Sequence, residues 1–125
     1  MISIQLDREE GVYAPGDLLE CNWRIGRIGL DEIQSVEASV LWYTEGKGDE
    51  DFSVHHFVRV SGEQLRKLGD SYQHSLVTAL PMSPLTYDGQ LLRIRWCVRL
   101  RIFLPNENDT VWQQPFFLGY ADSDA

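Results

Sequence analysis

The stretch PLTYDGQLLRIRWCVRLRIFLP, from Pro84 to Pro105, decides the fold. From Leu92 onward its even positions are apolar: Leu92, Ile94, Trp96, Val98, Leu100, Ile102 and Leu104. Its odd positions carry Arg93, Arg95, Cys97, Arg99 and Arg101. Side chains alternate between the two faces of a strand, so this period of two predicts one long strand over Gln90–Leu104. One face belongs to a core and the other to a row of arginines. The row spans about 26 Å at the usual strand rise, and its like charges repel unless something answers them. The chain as a whole has a net charge of −8.

Shorter segments repeat the pattern. LLECNWRI puts Leu19, Cys21, Trp23 and Ile25 on one face, and SVEASVLWYTE does the same with Val36, Ala38, Val40 and Trp42. ISIQL, FSVHHFVRV, YQHSLVTAL and TVWQQPFFLG complete a set of about seven strands, the FSVHHFVRV and YQHSLVTAL segments with poorer alternation. Pro15-Gly16, EGKGDED and NEND supply turns. SGEQLRKLG predicts a short helix, with Ser61 as its cap, Gln64 at the capping-box position and Gly69 closing it. Pro115 has no amide to donate, which predicts an edge position or a bulge for the last strand. Many short strands and almost no helix predict an all-β, immunoglobulin-like antiparallel β-sandwich. No repeat or linker divides the chain, so residues 1–125 read as a single domain.

Composition narrows the function classes. The chain is 43% hydrophobic and 24% charged, as ordinary globular domains are. No apolar run reaches the roughly 18 residues of a membrane span. MISIQLDREEG lacks the basic and apolar regions of a signal peptide. A soluble, cytoplasmic protein is expected, with peripheral membrane contact left open. The acidic balance argues against nucleic-acid binding. Cys21 and Cys97 are too few for a disulfide scaffold or a cysteine-built zinc site. Cys21 shares the apolar face of its strand and Cys97 the arginine face, so no bridge between them is expected. The same parity argues against a true immunoglobulin domain, whose core disulfide needs both cysteines inward.

Two segments resemble arrestin-like domains. VYAPGDLLECNWRI is similar to an early segment of that family: an aromatic residue (Tyr13), a Pro-Gly-acid turn (Pro15, Gly16) and an alternating strand. LPMSPLTYDGQLLRIRWCVRLRI is similar to a later one. There a Leu-Pro step (Leu80, Pro81), a proline-containing loop (Pro84) and a Tyr-x-Gly turn (Tyr87, Gly89) lead into a long strand with Ile94, Trp96, Val98 and Arg99. The retromer arrestin-like subunit and the sporulation-control arrestin-like proteins share this look. The resemblance implies an arrestin-like sandwich serving as a protein-binding scaffold or adaptor, not an enzyme. It departs from the family in having room for one sandwich where members usually carry two, and in Cys21 where many have glycine. In the turns, Gly16 and Gly89 are expected to take backbone angles other residues resist. Tyr87 is expected to bury its ring and reach a backbone partner through its hydroxyl.

No catalytic motif appears, and no cofactor is expected. His55 and His56 are adjacent, so they face opposite ways; His56 and His74 meet only if their strands pair. GDED (Gly48–Asp51) lacks the spacing of a calcium loop. Cys97 lies between Arg95 and Arg99, and nearby cations favour a thiolate. The alternative function is therefore a thiol-based enzyme or redox sensor. The arginine row itself has two readings. In one it is a surface answered by Glu37 and Glu45 of the third long strand, with Glu107 and Asp109 helping from the turn. In the other Arg93, Arg95, Arg99 and Arg101 receive an acidic or phosphorylated protein partner or a lipid head group. A homodimer through a sheet edge or face is also expected.

Overall fold

The computed structural model describes residues 2–25, 33–48, 50–66, 72–105 and 109–120. Among them are nine strands and one short helix: β1 (Ile2–Leu6), β2 (Val12–Tyr13), β3 (Leu18–Ile25), β4 (Ser35–Gly46), β5 (Phe52–Ser61), α1 (Gly62–Arg66), β6 (Tyr72–Ala79), β7 (Tyr87–Asp88), β8 (Leu92–Phe103) and β9 (Thr110–Leu118). Seven are the long strands read from the pattern; β2 and β7 have two residues each. One sheet has the order β1-β3-β6 and the other β2-β9-β8-β4-β5. β7 lies on β8 at Ile94 and Arg93, just before the residues that β9 covers. All pairs are antiparallel except β2 with β9. This is the all-β sandwich that the alternation predicts.

The core lies between the sheets. Leu19, Cys21, Trp23 and Ile25 of β3 pack there with Val36, Ala38 and Val40 of β4 and Trp96, Val98, Leu100 and Ile102 of β8. Leu92 is the exception in the β8 series: it is exposed, because the core ends before the strand does.

The helix has the predicted cap. Ser61 Oγ accepts from the Gln64 amide at 3.2 Å, and Gln64 Oε1 accepts from the Ser61 amide at 3.0 Å. This reciprocal pair satisfies two donors that a helix start leaves open. Gly69 lies outside the described residues.

Pro115 sits where its missing amide costs nothing. Phe117 N donates to Gly11 O at 2.8 Å and Gly119 N to Tyr13 O at 2.9 Å, both on the side away from β8. By alternation Pro115 nitrogen points the same way, past the end of β2, where β9 is an edge.

Two glycines show how different their roles are. Gly46 has φ of +141°, and a side chain there would overlap Leu91 O and lie 3.1 Å from Leu92 Cα. Gly89 does not have the left-handed φ expected of it; the atoms nearest a side chain there would be those of the Tyr87 ring. That ring is exposed, not buried as expected, because β7 lies at the rim of the sheet. Gly46→Ala is therefore expected to cost about 1–3 kcal/mol in backbone strain alone. Gly89→Ala should stay within about 0.5 kcal/mol, since an exposed ring can swing aside. Urea midpoints would compare the two, and equal losses would contradict this account.

Candidate functional site

The outer face of the larger sheet carries the arginine row, and the β4–β8 register decides what stands beside it. Glu37 is opposite Arg101, Ser39 opposite Arg99, Leu41 opposite Cys97, Tyr43 opposite Arg95 and Glu45 opposite Arg93. The ion pairs do not follow the β4–β8 register; Arg93 instead takes its register partner on β7. Arg95 Nε reaches diagonally to Glu45 Oε1 at 3.0 Å, and Arg93 Nε goes to Asp88 Oδ1 at 2.9 Å. Arg101 pairs with Asp109. Glu37, expected to share the work, is in none of the ion pairs among the described residues; it stands between Arg101, which pairs with Asp109, and Arg59 of β5. Glu107 lies outside the described residues. Each of these exposed pairs is worth about 0.2–1 kcal/mol.

Arg99 is different. Its Nε and NH2 both donate to Gln113 Oε1, at 3.1 and 3.0 Å, and its guanidinium lies 5.8 Å from the Phe52 ring centroid. A neutral amide thus takes the place that a carboxylate has at the other three. The positive surplus of the row is concentrated at this one residue.

Cys97 does not behave as its sequence neighbours suggest. Its side chain is only 1% exposed, as is that of Leu41 across from it. Pro115 is its register partner on the other side. Burial pushes the thiol up to about 11, and the opposing pull of Arg99 is the smaller effect. The expected polar thiol, with its charge favoured by two arginines, is a closed one. The arginine heads are turned toward Glu45 and Gln113, so only their stems flank it. Cys21 lies in the core, pushed up to about 12 by burial, and both cysteines are free.

β5 adds a feature that alternation did not reveal. Its pairing with β4 shifts between Val40 and Leu41: His56 is opposite Val40, but Val54 is opposite Leu41. His55 is the extra residue of a β-bulge. The bulge brings Val54 to the same outer face as Phe57, and Phe52 follows in register. These side chains are 41%, 50% and 52% exposed. Apolar side chains thus border the arginines on the face where Leu41 and Cys97 are buried. An open concavity of about 560 Å³ lies at one end, lined by Tyr43, Glu45, Glu50, Asp51, Phe52 and Arg99.

His55 itself is a staple between the sheets. Its Nε2 lies 2.8 Å from Ala79 O and 3.2 Å from Thr78 Oγ1. His56 and His74 are on strands of different sheets, β5 and β6, so the pairing that would bring them together does not form. Among the described residues no three His, Cys, Asp or Glu side chains cluster in a way that could hold a metal ion.

No protein-family model matches this chain, and no curated protein matches it in sequence. Among solved structures, the crystal structure of Spo0M, a sporulation control protein from Bacillus subtilis, matches with a TM-score of 0.63 over 96% of the chain. The chain has the arrestin-like fold. Sequence identity is 11%, so the likeness is one of fold alone, and the chain spans 49% of the Spo0M chain.

In this arrestin-like sandwich the two resembling segments meet. Ala14 to Asp17 form a turn closed by Asp17 N donating to Ala14 O at 3.0 Å, with Pro15 second and Gly16 third at φ +85°. That is the residue order a type II turn requires. Gly16 N donates to Leu80 O at 3.0 Å and Leu80 N to Asp17 O at 2.8 Å, which locks the Pro-Gly turn to the Leu-Pro step. Tyr13 is fully buried, and its hydroxyl donates to Asp7 Oδ1 at 2.5 Å. These contacts fix the start of β3 against the end of β6. No described helix is long and apolar enough to cross a membrane.

Proposed function

We propose that this chain is a non-enzymatic protein-interaction module of the scaffold or adaptor type, with residues 1–125 folding as one unit. Its binding surface is the outer face of the larger sheet, where Arg93, Arg95, Arg99 and Arg101 receive an acidic or phosphorylated partner. The observation that carries this reading is the combination on one face: an arginine row beside exposed Phe52, Val54 and Phe57. Solvated sheet faces are ordinarily polar. Aromatic residues and arginine together are the composition enriched at protein interfaces. Two unpaired cysteines fit a reducing, cytoplasmic setting.

A photo-crosslinking amino acid tests the face. Placed at Phe57, it should capture a protein from host extract, and placed at Val77, on the outer face of the smaller sheet, it should not. Capture should weaken with salt, because exposed charges are screened. Charge reversal at Arg95 and Arg99 to Glu should lower capture at least tenfold while the fold persists. Equal capture from both positions, unaffected by the reversal, would refute the assignment.

A further inference from the structure

We propose that Arg99 is the docking residue of this face. It takes the carboxylate of a peptide segment whose apolar side chains lie on Phe52, Val54 and Phe57. The inference rests on the reading of the outer face as the binding surface and names the chemistry of its ligand.

Charge is the first argument. Arg93, Arg95 and Arg101 each hold a carboxylate through Nε, and an incoming anion would have to compete with Asp88, Glu45 or Asp109. Arg99 holds only the amide oxygen of Gln113. A guanidinium has five N–H donors, and Gln113 engages those of Nε and NH2. The fork formed by NH1 and the other hydrogen of NH2 stays available, and its spacing matches the two oxygens of a carboxylate. The Phe52 ring beside the guanidinium and the Gln113 contact both hold the group in place before a ligand arrives. Less ordering then remains to be paid on binding.

The surroundings supply the second argument. Across the strands, Phe57, Ser39, Arg99 and Gln113 stand in one row. The small Ser39 is all that stands between Phe57 and Arg99 in this row, and their strands are about 10 Å apart at ordinary strand spacing. An extended peptide covers that distance in about three residues. The adjoining row is Val54, Leu41, Cys97 and Pro115, apolar from end to end. An acidic residue with an apolar neighbour one or two positions away satisfies both rows at once.

A carboxylate fits better than a phosphate. Glu45, Glu50 and Asp51 line the same concavity as Arg99. Their repulsion acts twice as strongly on a dianion as on a monoanion.

Random dodecapeptides displayed on phage, panned against the folded protein, test the proposal. The selected peptides should carry Asp or Glu within two positions of Leu or Phe. A synthetic copy should lose at least tenfold in affinity when its acid becomes the amide. Arg99→Gln should lose as much, and the two changes together little more, as coupled partners do. Arg24→Gln, on β3 of the smaller sheet, should change affinity less than twofold. Peptides that lack an acid and ignore Arg99→Gln, yet are lost with Phe57→Ser, would overturn the carboxylate assignment and leave the face intact. So would a phosphoserine copy that binds more tightly than the Asp peptide. No enrichment at all, or peptides indifferent to both Arg99→Gln and Phe57→Ser, would overturn the docking residue and the face together.

Discussion

Trp96→Ala is expected to remove about 3–5 kcal/mol of folding stability, the range for truncating a large buried aromatic side chain. A domain of this size has about 5–15 kcal/mol in all, so the variant would stand at the edge of unfolding. Trp96 is 1% exposed at the middle of β8. Its ring lies 5.8 Å from Phe116 and meets the His55 ring edge-on at 6.2 Å. It therefore touches β9 and the bulge of β5, two elements the sheet joins only through other strands. Its indole nitrogen also donates to Pro84 O at 2.8 Å, which ties the loop before β7 to the core. The alanine variant loses the packing and the tether together. Trp96→Phe separates them: most of the packing survives, and Pro84 O loses its donor at a cost of about 1–3 kcal/mol. Urea denaturation with an unchanged slope would measure both. If the alanine variant lost less than the phenylalanine variant, the packing described for Trp96 would be wrong.

Much of this frame was legible because β8 obeys alternation over its full length. The parity of Leu92–Leu104 placed Trp96, Val98, Leu100 and Ile102 inside, and the opposite parity of β4 brought Glu37, Ser39, Leu41, Tyr43 and Glu45 beside the row in the register found. Parity cannot show how a flexible side chain spends its charge. Asp109 answers Arg101 from the turn, as expected, but Asp88 answers Arg93 because β7 pairs with β8, and that contact depends on strand pairing beyond the local pattern. β5 shows a second limit. A bulge adds one residue and flips every side chain after it, so Val54 and Phe57 share a face although their numbers differ in parity. The poor alternation of FSVHHFVRV was the visible trace of that bulge, and the apolar half of the binding face was lost with it. Gly46 gave a weaker trace still. It sat in a polar loop as one glycine among others, and its role comes from the close approach of the Leu91–Leu92 backbone.

Cys97 is expected to react with iodoacetamide at least a hundredfold more slowly in the native protein than in the urea-unfolded chain. Only the thiolate reacts. With its pKa pushed up to about 11, the native thiol is about one-thousandth ionised at pH 8, against about a quarter for an ordinary thiol near 8.5. Burial beneath the face slows the approach of the reagent as well. The opposite result follows from a thiol activated by its arginines, since the reading of Cys97 as a catalytic or redox-sensing group requires appreciable thiolate at neutral pH. The geometry shows why the cations fail to deliver it. Arg95 donates to Glu45 and Arg99 to Gln113, and Leu41 and Pro115 flank Cys97 across the strands. The loss of hydration therefore exceeds the charge attraction. Peptide mapping by mass would follow Cys97 separately from Cys21. The native rate should climb about tenfold per pH unit from pH 7 to 10, as it does for a group titrating above that range. A plateau below pH 8 would mean that the thiolate forms readily, and would favour the alternative, thiol-based reading.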